Sequence, residues 1–98
     1  MPDRAPMARS GFEERFPTRD SVATKALAAN VRRIRKEKGW TQDVLAAEID
    51  VEQGFISRIE NGRANPTLLV LETLATTLEV RVEQLFEVQA KSRRAKDR

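Results

Sequence analysis

The chain has 98 residues, which is room for one small domain with tails and no second core. At that length only roughly 60–65% of the unfolded surface can be buried, so an enzyme with a large closed pocket is disfavoured. Cysteine and histidine are both absent, which excludes disulfides, thiolate nucleophiles, zinc-finger chemistry and imidazole acid–base work.

No nucleophile–base pair and no carboxylate cluster with metal-ligand spacing is visible. The expectation is therefore a non-enzyme with no metal and no cofactor. No stretch of about 20 apolar residues exists and the N-terminus lacks an apolar signal region, so a cytoplasmic protein away from the membrane is expected. The net charge of +3 hides an uneven distribution. Residues 21–40 carry six basic groups against Glu37 alone, whereas residues 41–86 carry three basic against eight acidic groups. The last twelve residues hold five basic and two acidic groups. Such a layout suits a protein with one face toward a polyanion and another toward solvent or a partner.

Residues 1–20 contain three of the four prolines and read as a flexible N-terminal arm, with a short turn at Gly11–Phe16 docking Phe12 and Phe16. A first helix is expected from Val22 to Lys38. Leu27, Val31 and Ile34 form its buried stripe, and Gly39 suits the left-handed residue that closes it. Trp40 then folds back on the core. Thr41 is the natural cap of a short second helix with Leu45, Ala46 and Ile49 inward. A turn at Asp50-Val51-Glu52 leads to a third helix from about Gln53, with Phe55, Ile56 and Ile59 on its buried side and Gly62 past its end. Thr67 caps a fourth helix whose stripe is Leu68, Leu71, Leu74, Ala75 and Leu78. A last helix of one to three turns follows from Val82. Residues 89–98 form a basic tail with almost no apolar face. Residues 21–88 are thus the folded domain, all-α with five helices.

Two short helices joined by a turn of three or four residues and sharing one core have the spacing of a helix-turn-helix, whose second helix presents its outer face to the major groove. The small Ala46 fits a steep crossing between them. The outward residues of the third helix are Gln53, Gly54, Ser57 and Arg58. Glutamine bonds bidentately to adenine and arginine to guanine, while serine adapts to its neighbour. Plainer uses exist for both larger side chains, Gln53 as a helix-end cap and Arg58 as a stem over apolar surface.

The run TQDVLAAEIDVEQGFISRIENGRANPTLLVLETLATTLEVRVEQLF, extended upstream by RRIRKEKGWTQ, resembles the lambda-repressor/Cro-like family of helix-turn-helix domains, often called the XRE family, over roughly residues 24–86. The resemblance implies a DNA-binding transcriptional regulator acting as a two-fold dimer. It implies base reading by Gln53, Gly54 and Arg58 with Ser57 as a supplement. It also implies backbone contacts by Gln42, Asn61 and Arg63, Gln42 in addition steadying Gln53. A buried pair of Arg35 with Glu60 is implied too, clamping the first helix to the third. The sequence departs from the family at Asp50 and Glu79, where glycine is common, and at Glu52, a poorer cap than serine or threonine. It departs again at Arg81, where serine is common, and at Gly54, which brings no side chain to a base.

The expected function is sequence-specific regulation of transcription, as a dimeric repressor on a palindromic operator. The expected partners are double-stranded DNA and a second copy of the chain. Val80, Val82, Leu85, Phe86 and Val88 are the expected dimer interface, with Leu85 and Phe86 also closing the monomer core. Three other readings share the fold. One is a controller protein of a restriction–modification system, whose fourth helix is similar to NPTLLVLE. The second is an operon-regulating antitoxin with a toxin as partner, and the third is a protein-interaction module.

Overall fold

Ser21 opens the first helix, α1 (Val22–Glu37), by accepting the Thr24 amide at 3.2 Å on its hydroxyl. The computed structural model describes residues 11, 14–18 and 21–88. The tail at 89–98 and most of the arm, including Phe12, lie outside the described residues. Phe16, expected to dock, is 56% exposed. Along α1, Leu27, Ala28, Val31 and Ile34 are buried, as a 3.6-residue period requires of one face.

Thr41 starts α2 (Gln42–Ile49) by accepting the Val44 amide at 3.1 Å, and Thr67 starts α4 (Leu68–Leu78) by accepting that of Val70 at 3.2 Å. Between them lies α3 (Gln53–Glu60), preceded by Glu52, whose side chain makes no capping bond. All four helices end in the same double closure, in which two amides beyond the end reach back to open carbonyls. That closure needs a left-handed residue. Gly39 and Gly62 supply it after α1 and α3 at φ 76° and 71°, but Asp50 and Glu79 supply it after α2 and α4 at φ 62° and 64°. The two departures from glycine therefore sit where a side chain is sterically disfavoured.

The core is one cluster. Leu27, Val31, Leu45, Ile56, Ile59, Leu74, Leu78 and Leu85 are almost wholly enclosed, each contributing about 1.5–3 kcal/mol of burial. α3 packs on both α1 and α2, while α4 packs on α2. Ala46, 3% exposed, allows the close approach expected at the helix-turn-helix crossing.

Four expectations are corrected. The fifth element is a 3₁₀ helix over Val82–Phe86, so among the described residues there are four α-helices and no strand. Its length is limited by its exit, where Asn30 Nδ2 donates to the carbonyls of Leu85 at 2.9 Å and Glu87 at 2.8 Å and draws the chain into extended backbone. Leu68 is 75% exposed, because it and Leu69 face outward at the start of α4, where Val70 only half meets the core and full burial begins at Leu71. Phe55 is only half-buried at the core's edge. Leu85 is wholly enclosed by its own chain, which removes it from any surface a second copy could touch. Among the described residues no helix is long and apolar enough to cross a membrane.

Candidate nucleic-acid interface

The short turn from Asp50 to Glu52 fixes α3 against α2, and the outer residues of α3 are then held by polar contacts rather than by packing. Arg35 and Glu60 sit on the inner edges of α1 and α3, each 7% exposed. Arg35 Nε donates to Glu60 Oε2 at 2.6 Å and Nη2 to Oε1 at 2.9 Å, a two-pronged geometry that suits a planar guanidinium. A third donor, Nη1, reaches the Trp40 carbonyl at 2.8 Å, tying down the segment between α1 and α2. The bond to Glu60 raises the Arg35 pKa above its ordinary value despite the opposing effect of burial.

Glu60 passes this order outward. Its Oε1 accepts Gln42 Nε2 at 3.0 Å, and Gln42 Oε1 accepts Gln53 Nε2 at 2.6 Å. An ionised carboxylate can only accept, so Gln42 must turn its amide nitrogen toward Glu60. Its oxygen is then left for Gln53, which must donate. The charge of Glu60 thus fixes the orientation of two successive amides. It leaves Gln53 with its oxygen and one N–H directed away from Gln42, the pair that adenine's N6/N7 edge accommodates. Gln53 follows the cap residue Glu52 and does not itself cap the helix.

The remaining outer positions differ in how they are held. Arg58 is exposed and its guanidinium lies 5.5 Å from the Phe55 ring centroid, one turn earlier on the same face. The Asn61 amide donates to the Ser57 carbonyl at 2.9 Å and hydroxyl at 3.3 Å, closing the end of α3. Arg63 is exposed beyond that turn, its backbone amide bonded to the Arg58 carbonyl at 2.8 Å. A Cβ placed on Gly54 would meet nothing within 4 Å, so packing does not demand glycine there and the position offers bare backbone. Gln42, Gln53, Ser57, Arg58 and Asn61 therefore lie along α3 and the start of α2, with Gly54 and Arg63 beside them. Val80, Val82 and Phe86 are half-buried against the core, and Val88 is 60% exposed.

Two participants escaped sequence reasoning. Phe55, expected in the core, is one, and an aromatic three residues before an arginine on a helix is the signal that points to it. Asn30, fully buried, falls between Leu27 and Ile34 on the apolar stripe, where a polar residue needs partners. Among the described residues no group of acidic side chains could hold a metal ion.

Residues 31–85 match the HTH_3 helix-turn-helix family. The chain belongs to that family. The resemblance read from RRIRKEKG and IENG thus holds, and several similar proteins are named as HTH-type transcriptional regulators. An uncharacterized HTH-type transcriptional regulator, y4dJ of Sinorhizobium fredii, is 41% identical over 56 residues, covering 57% of this chain and 73% of that relative. The crystal structure of a hypothetical transcription factor, NHTF from Neisseria, superimposes with a TM-score of 0.68 at 29% identity, covering 81% of this chain and 90% of that one. The restriction–modification controller protein C.Esp1396I, solved as a tetramer in complex with its natural 35 base-pair operator, gives a TM-score of 0.62 at 34% identity, covering 72% and 93% of the two chains.

Proposed function

We propose that this HTH_3 chain is a sequence-specific transcriptional repressor that binds a palindromic operator as a homodimer. Gln53, Arg58 and Ser57 read base edges, Gly54 lets the backbone approach, and Gln42, Asn61 and Arg63 meet phosphates. The observation that carries this reading is the chain of bonds from Arg35 through Glu60 and Gln42 to Gln53. A buried ion pair spent on orienting an exposed amide makes sense where that amide must recognise something. Two-fold binding needs two copies of α3 about 34 Å apart, and the exposed edges of Val80, Val82, Phe86 and Val88 are the apolar surface proposed for the contact. The likeness to C.Esp1396I and the NPTLLVLE segment favour one specialised form, a controller of a restriction–modification system.

The test is an electrophoretic mobility shift on DNA upstream of the chain's own gene, at two salt concentrations and against a scrambled duplex. Arg58→Ala removes about 1–3 kcal/mol of preference for the cognate duplex, whereas Arg63→Ala weakens both duplexes by similar factors. Arg58→Ala protein that keeps the wild-type ratio would remove Arg58 from the readers. A sedimenting species that stays monomeric on DNA would remove the dimer.

A further inference from the structure

Beside the α3 surface lies a second feature that the reading above does not use. A groove of roughly 610 Å³ runs along α1 and is lined by Lys25, Arg32, Arg33 and Lys36, ending against Asn61 and Gly62 at the end of α3. Lys25, Ala29, Arg32 and Lys36 are all exposed and recur at the spacing of one helix face. They span about 16 Å of α1. Arg33 already faces Glu37 at 3.3 Å, but among the described residues Lys25, Arg32 and Lys36 form no ion pair. The one carboxylate lining the groove, Glu60, is neutralised by Arg35. Three uncompensated cations in a row are electrostatically unfavourable unless a polyanion or salt meets them.

We propose that this groove carries the DNA backbone flanking the site read by α3. This rests on the DNA-binding reading and extends it. The groove's inner end is the Asn61–Gly62 turn, continuous with Arg63, so a strand leaving the end of α3 passes directly onto the α1 face. Ala29 in the middle of the row leaves room for the strand between Lys25 and Arg32. The contact is blind to sequence, because phosphates are the same at every step.

The experiment measures binding of a random-sequence duplex of roughly 30 base pairs by fluorescence anisotropy across a salt series, since each neutralised phosphate adds about 0.9 to the slope of log K against log salt. The variant K25Q/R32Q/K36Q alters only exposed side chains. Its slope is expected to fall by about 2–3 units relative to wild type. A control variant, K38Q/R81Q, removes cations that already face Glu79 and Glu83, and its slope is expected to change by less than about one unit. An unchanged slope in the triple variant would overturn the proposal. Equal losses in both variants would overturn it in favour of a general charge effect. Wild-type protein that binds no duplex at low salt would refute DNA binding itself, and this inference with it.

Discussion

Breaking the Arg35–Glu60 pair from one side should cost more than removing both partners together. Glu60→Ala leaves a guanidinium whose side chain is 8% exposed with the Trp40 carbonyl as its remaining partner. Stranding a buried charge costs about 3–5 kcal/mol, and arginine cannot escape by losing its proton. Arg35→Ala instead leaves a carboxylate whose side chain is 2% exposed, holding only Gln42. That stranded carboxylate should likewise cost about 3–5 kcal/mol. The double variant strands neither charge, so its penalty should fall well below the sum of the two single ones. Urea unfolding of DNA-free protein with each single variant and the double measures that coupling. A coupling energy below about 0.5 kcal/mol would refute the clamp.

Glu79→Gly relieves a left-handed backbone at the cost of one exposed pair with Lys38, and a gain of about 1 kcal/mol in chemical denaturation is expected. A loss would show that the closure of α4 does not strain the chain. Gly54→Ala should stabilise the free protein by about 0.5–1 kcal/mol, because its Cβ meets open space within a helix. The same variant should bind operator more weakly if DNA approaches that backbone, and undiminished affinity would reject the approach. Asn30→Ala strips two carbonyls of their donor, so a cost of about 1–3 kcal/mol is expected, with faster hydrogen exchange over residues 84–88. Unchanged exchange would mean that the 3₁₀ segment is held by Leu85 alone.

The helix boundaries were legible in the sequence because they depend on residues within four positions of one another. Thr41 and Thr67 each cap an amide three residues on, and Gly39 and Gly62 each close the helix just before them. Apolar period likewise marked most of the core, and the helix-turn-helix spacing marked α2 and α3. The pairing of Arg35 with Glu60, 25 positions apart, came from family resemblance, since local pattern placed each only at the edge of a stripe. Tertiary structure alone decided which members of a periodic stripe are covered. Leu68 and Leu71 look alike in the sequence, yet only the second meets the core. It alone joined Asn30 to carbonyls 55 and 57 positions away, fixing the last element as a 3₁₀ turn. It also joined Gln42 to Glu60 at the end of α3, where the family resemblance implied only its contact with Gln53. Local preference sets what each segment can be. Which long side chains find one another depends on how the helices cross, and that is a property of the whole core.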